Sequence, residues 1–358
     1  MISIECIEGL PFKYEPFLLT KYDSYITTCR YLEIHYSTYD INYMLVYEDN
    51  VLIDLLIFGN SGNTSQCFNS LVAIEGNVIS ECINKIFVIY PSIKKVIIDA
   101  SYNNYKLNKS VPIYMLDNYI LELPSTVDEY YLKLSSSTRQ TIKNRRNRLM
   151  RDYPEAKFVA KFGKAIDKEV VDKIIQLSIE RLKIKGSISS IDNGYSENVY
   201  KYSQYYGFVS YIEIDGKIVA GNVSTFIDKA GFGHVTAYDN MFSKYNVGEL
   251  CTFYAIQTSI EKGLTKFNFL WGESDLKKRF LTKPHSLFSY IVYRTYSFDF
   301  YLSVVKAMCL CQFQNLKRSK YARLALKVIK RYRKVNLTSA EIKVFEKTSL
   351  ILSFTLCL

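Results

Sequence analysis

Residues 267–280 constrain the fold more than any other stretch of this 358-residue chain. Phe267, Asn268, Phe269, Leu270 and Trp271 form a mostly apolar alternating run that stops at Gly272. Glu273, Asp275, Lys277, Lys278 and Arg279 follow at once. The pattern is that of a buried strand delivering polar groups to its carboxyl end. In open α/β sheets, ligands bind where strands end. The single Trp of the chain stands at this junction, and Lys277 and Phe280 lie about one helical turn apart beyond it.

Charge divides the chain. Residues 1–130 carry a balance of −8 and the remainder +19. A split of this size implies two regions with different partners, the second facing something anionic. Nucleic acid, a charged cofactor, an acidic glycan and an anionic membrane surface all satisfy it. Eight cysteines without paired spacing, and only three histidines, argue against a structural zinc site. Scattered cysteines of this kind read as small buried hydrophobes in a reducing compartment. The first residues lack the basic and apolar regions of a secretory signal, and no apolar run reaches the roughly 20 residues that span a bilayer. The expected location is cytoplasmic, peripheral at most to the inner face of the membrane.

Periodicity divides the chain in the same way. Residues 43–47 and 51–58 read as a hairpin, 60–66 as a polar loop, 77–89 as a helix, and 95–99 and 113–123 as strands. This order gives an α/β layer structure for residues 1–125. Leu123-Pro124-Ser125-Thr126 marks a boundary. Beyond it, Ser135, Ser136 or Ser137 caps a basic helix through Leu149 or Met150. A helix at 168–183, a hairpin at 208–227 turning at Asp215-Gly216, and a strand at 231–238 come next. A helix at 248–262 and strands at 266–270 and 287–293 complete residues 126–297. Residues 298–358 read as a basic helical extension, with nine Lys/Arg and no acid at 317–334. That amphipathic stretch suits an anionic membrane surface.

Four ordered stretches between Leu132 and Tyr293 resemble the FemAB-like branch of the GNAT acyltransferases, and in particular its acetyltransferases of cellulose and envelope-polysaccharide synthesis. They are Leu134 to Leu149, the hairpin Gly207 to Gly221, Ala237-Tyr238-Asp239 with Asn246-Val247-Gly248, and the segment 267–280. Asn268 stands where the family usually has Asp, and Leu276 where it usually has Tyr. The resemblance implies two GNAT-like domains with mixed central sheets flanked by helices, followed by the basic extension. It implies acetyl-CoA or another acyl-CoA as co-substrate, with no metal, and a sugar-nucleotide or lipid-linked glycan as acceptor.

On that resemblance Glu273, Asp239 and Lys277 are the candidate catalytic residues. Val247, Gly248, Glu249 and Leu250 are candidates for holding the cofactor at a helix start. Trp271, Asn268 and Asp275 are candidates for the substrate. Each has a plainer reading beside it. Glu273 and Asp275 could cap the helix starting near Ser274, Asp239 could be a turn residue, and Lys277 a solvated cation. Glu249 itself disfavours an anion beside it. Two other functions stay open. One is an aminoacyl-tRNA donor, as in the peptidoglycan-peptide branch of FemAB-like proteins. The other is a non-catalytic binding protein, motivated by Asn268 and Leu276.

Overall fold

The computed structural model describes residues 2–184 and 194–318. The stretch 319–334 of the basic amphipathic segment and the rest of the tail lie outside the described residues. In chain order the elements are β1 (Ile2–Glu8), α1 (Glu15–Tyr22), α2 (Cys29–His35), β2 (Asp40–Glu48), β3 (Val51–Ser61), β4 (Thr64–Cys67), α3 (Gly76–Ile89), β5 (Lys95–Ser101) and β6 (Ser110–Glu122). Then come α4 (Val127–Lys133), α5 (Ser136–Asp152), β7 (Lys157–Phe162), α6 (Lys168–Ile184), α7 (Tyr195–Tyr206), β8 (Gly207–Ile214), β9 (Lys217–Ile227) and β10 (Ala230–Tyr238). The chain continues with α8 (Val247–Glu261), β11 (Lys266–Trp271), α9 (Asp275–Arg279), β12 (Lys283–Tyr293) and α10 (Phe298–Arg318).

All twelve strands join one sheet, in the order β1-β2-β3-β4-β5-β12-β6-β11-β10-β9-β8-β7. Each half repeats one plan. Four antiparallel strands are followed by a helix that crosses over to a fifth strand, parallel to the fourth. The sixth place in each half is filled by the other half. β12 pairs with β5, and β6 pairs with β11. The two exchanged strands then pair with each other along most of their length, from Lys283↔Ile120 to Val292↔Ser110. Neither 1–125 nor 126–297 closes its sheet alone.

Local chemistry explains most boundaries. Ser135 caps α5 by accepting from the Thr138 N–H at 3.2 Å, as its short hydroxyl side chain predicts. Asp215 and Gly216 both adopt positive φ in the two-residue turn between β8 and β9. The polar stretch 60–66 is a correction. β3 runs to Ser61 and β4 starts at Thr64, so this stretch is a tight hairpin and not a loop. Gly62, at φ +58, supplies the turn that a side-chain-bearing residue adopts at a cost. One core lies under α3 in the first half. The second half has a core on each face of the sheet, one beneath α5 and α8, the other beneath α6. A fourth cluster, including Tyr25, Ile26, Tyr202, Phe232, Leu270 and Leu287, joins the halves.

Candidate functional site

β10 and β11 are paired only at Ala230↔Lys266, Gly231↔Phe267 and Phe232↔Asn268. β10 continues to Tyr238 and β11 to Trp271, so the two parallel strands part and leave a notch at their carboxyl ends. Two irregularities hold the notch open. β10 has a bulge between Gly233 and Val235, and the pairing of β11 with β6 shifts between Asn268 and Trp271. Leu270 sits within that shift at φ +53, a strained value for a non-glycine residue. Backbone groups bordering the notch are freed from pairing between β10 and β11.

Lys277 is fixed at the carboxyl end of β11. Ser274 caps α9, accepting from the Lys277 N–H at 3.3 Å. The Lys277 side chain folds back onto the end of β11. Its Nζ donates to the Leu270 carbonyl at 3.0 Å and the Trp271 carbonyl at 2.7 Å, and lies 5.2 Å from the centre of the Tyr119 ring. Carbonyls and ring face favour the ammonium, but loss of water outweighs them and brings the pKa down to about 8. The chemistry follows from a count of protons. A neutral amine has two N–H groups, both used by the carbonyls, so its lone pair faces outward and can accept a proton. An ammonium has a third N–H to offer to a developing oxyanion.

A second feature lies on the adjoining strands. Asn268 is 2% exposed, and its Nδ2 donates to the Gly231 carbonyl at 3.0 Å. A carbonyl only accepts, so the orientation of the amide is fixed. Asn268 Oδ1 must then accept, and it does so from Asn118 Nδ2 at 3.0 Å. Asn118 Nδ2 also donates to the Tyr102 hydroxyl at 2.6 Å. The Tyr102 proton, held on by burial that raises the pKa to about 12, has no acceptor among the described residues. Asn118 Oδ1 is buried without a hydrogen-bond partner. The arrangement leaves one hydroxyl proton and one buried amide oxygen without a partner.

The other candidates are distributed as follows. Trp271 is 43% exposed, and Glu273 and Asp275 are also exposed. Glu273 forms an ion pair with Lys278. Asp239 ends β10 and caps the turn Asn240–Tyr245, accepting from the Met241 N–H at 2.9 Å. Asn268 is a correction: both ends of its amide belong to the fold, so it does not face a substrate. The group at the start of α8 is a second correction. Val247, Gly248, Glu249 and Leu250 are all buried. A Cβ on Gly248 would come within 2.6 Å of the Tyr238 ring, and the Glu249 carboxylate is paired with Arg279 at 2.8 Å. A pyrophosphate does not fit there, because the position is packed and already holds a carboxylate. The structure thus sets Lys277 and Trp271 at the carboxyl end of β11, beside Tyr119 and Asn118 of β6, and packs the α8 group away.

Tyr102, Asn118 and Tyr119 were not singled out from the sequence. They belong to the first half and reach the notch only through the strand exchange, for which no local signal exists. Among the described residues, no group of three or more His, Cys, Asp or Glu side chains could hold a metal. No described helix is long and apolar enough to cross a membrane.

Residues 136–278 match the family model described as an acetyltransferase (GNAT) domain. The crystal structure of FemX superposes with a TM-score of 0.60 at 10% identity, over 81% of this chain and 97% of FemX. L-PGS from Bacillus licheniformis gives 0.54 at 14% identity, over 84% and 96% of the two chains. A conserved protein of unknown function from Bacteroides thetaiotaomicron gives 0.53 at 14%, over 82% and 100%. No curated protein matches the sequence. Residues 136–278 thus match a GNAT-type acetyltransferase domain, and the fold of the chain is like that of FemX and L-PGS. The structural likenesses, at such low identity, carry the fold and nothing of the substrate.

Proposed function

We propose that the protein transfers an acyl group to an amine or hydroxyl of a cell-envelope glycan precursor, with the reacting carbonyl held in the notch between β10 and β11. The observation that carries this is Lys277, a half-buried amine poised near neutral pH at the end of the parted strands. In the reaction the acceptor N or O bonds to the carbonyl carbon and its proton passes to neutral Lys277. The bond to the donor's leaving atom then breaks, and the lysine's proton is available to that atom. Trp271 and the Tyr102 hydroxyl border the acceptor side.

Two donors are compatible with this chemistry. An acyl-CoA, acetyl-CoA first, is what the GNAT family match favours. It would have to seat its phosphates elsewhere than residues 247–250. An aminoacyl-tRNA is favoured by that same packed helix start, since an aminoacyl ester brings no pyrophosphate to it. The acceptor would be a sugar nucleotide or a lipid-linked glycan, and the basic stretch 317–334 would hold the enzyme at the inner membrane face.

The test is direct. Purified protein is incubated with amino-sugar acceptors and either acyl-CoA or charged tRNA, reading free thiol in the first case and ester loss in the second. Acceptor-dependent release with either donor, abolished in Lys277→Ala, supports the proposal and selects the donor. Release with neither, from protein shown to be folded, leaves the non-catalytic binding reading in its place.

A further inference from the structure

The second half also has a hollow away from the notch. A groove of about 490 Å³ lies between α4, α5, α8 and the start of β7. Its floor is apolar, from Ile142, Phe158, Leu250 and Phe253, and its rim carries Lys143 and Arg146. A stack of rings separates it from the transfer site. Phe253 lies 6.2 Å from Tyr130 and 6.4 Å from Phe280, and Phe280 lies 6.5 Å from Phe269 of β11. The groove is therefore a separate site.

The cations of α5 are not equivalent. Arg139 donates to the carbonyls of Leu132 and Leu134, and Arg145 to that of Lys244. Arg148 lies over the Tyr245 ring, and Arg151 pairs with Asp152. These four secure the helix. Lys143 and Arg146, which flank the groove one turn apart, have no ion-pair or hydrogen-bond partner among the described residues. Asp128 also lines the groove, from α4. An apolar trough of ligand size with two uncommitted cations on its rim defines a ligand with an apolar body and an anionic end.

We infer that this groove binds a single alkyl or acyl chain ending in a phosphate, with the chain along the α5–α8 trough and the phosphate between Lys143 and Arg146. A nucleotide suits it less well. Its polar-edged base would lie against the apolar floor of Ile142, Leu250 and the ring of Phe253.

The experiment uses the full chain and monomeric dodecyl phosphate, below its micelle concentration, in titration calorimetry. Inorganic phosphate, dodecyltrimethylammonium and AMP serve as parallel arms. Two variants at exposed or half-exposed positions accompany the native protein: Lys143→Gln combined with Arg146→Gln, and Gln257→Trp, which fills the trough from α8. Saturable one-to-one binding of dodecyl phosphate is expected. The double substitution should weaken it about tenfold or more, and the tryptophan should block it. Circular dichroism and melting checks that both variants remain folded. The inference is overturned if dodecyl phosphate does not saturate, or if both variants bind it like the native protein. Equal or tighter binding of any of the other three ligands also overturns it. The transfer reaction plays no part in this readout, so the inference stands or falls apart from the proposed chemistry.

Discussion

The two halves of the sheet follow one topology and finish it differently. In the first half the parallel pairing runs the full length of β4, from Thr64↔Lys95 to Cys67↔Ile98. The chain leaving Cys67 then fills the space beside β5. Leu71 N–H bonds the Ala100 carbonyl at 2.8 Å, Tyr102 N–H bonds that of Val72 at 3.2 Å, and the Ser70 hydroxyl donates to that of Asp99 at 3.0 Å. In the second half β10 outruns its pairing. Among the described residues, no backbone hydrogen bond ties the 239–246 connection to β11. The same strand–helix–strand unit is thus stoppered in one half and open in the other. Topology creates the place for a site, and a few connecting residues decide whether one exists there.

The sharpest way to break this comparison is to remove Lys277. Lys277→Ala should lower kcat by roughly 10²- to 10⁴-fold with little change in melting temperature, measured with whichever donor proves active. Turnover within about twofold of native would dissolve the functional distinction between the halves. Its counterpart is Asn69→Leu in the stopper. Asn69 accepts from the Ile57 N–H at 2.6 Å and donates to the Leu55 carbonyl at 2.9 Å. Losing it leaves the Ile57 N–H unpaired, while the Leu55 carbonyl keeps the Tyr22 hydroxyl, at about 1–3 kcal/mol in urea unfolding, and turnover per folded molecule should hold.

Asn268→Asp tests the amide chain. A carboxylate there would face the Gly231 carbonyl without a proton to share, so stability should fall by about 1–3 kcal/mol and turnover should not rise. A gain in activity would mean that position 268 takes part in the chemistry after all. The pH profile is a finer probe. If neutral Lys277 is the base, kcat should climb as pH passes through about 8 and then level off. Stability should also rise with pH between about 8 and the ordinary lysine range, because there the unfolded chain binds a proton that the folded one has released. A rate that falls over that interval would assign Lys277 to the oxyanion instead. The smallest effect belongs to Arg279→Ala. Its partly exposed pair with Glu249 should cost about 1 kcal/mol or less, without opening the α8 start to acyl-CoA phosphates.

The segment 267–280 carries its own explanation in the sequence. The alternation in Phe267 to Leu270, the break at Gly272 and the cap at Ser274 are local effects, and the strand, turn and short helix follow from them. Asp215-Gly216 and Ser135 are of the same kind. Burial of polar groups is not written locally. Nothing around Asn268 announces that Gly231 would take its Nδ2, and nothing around Gly248 announces Tyr238. Lys277 appears in the sequence as an ordinary helix cation. Its depressed pKa arises from loss of water in the folded chain, which no local pattern displays. The exchange of β6 and β12 is the extreme case, since pairing Lys95 with Tyr293 depends on no motif in either strand.

That exchange has a consequence for synthesis. As the chain leaves the ribosome, β5 and β6 emerge one after the other with only a short loop between them. The entropically cheapest partner for β5 is therefore β6. In the finished sheet the two are not paired, because β12 lies between them. A nascent chain must keep that place vacant until nearly three hundred residues have been made, or give up a hairpin it formed early. Until β12 arrives, β5 presents an unpaired edge of the kind that recruits foreign strands. The feature that brings Asn118 and Tyr119 beside β11 therefore leaves an open sheet edge until the last strand is made.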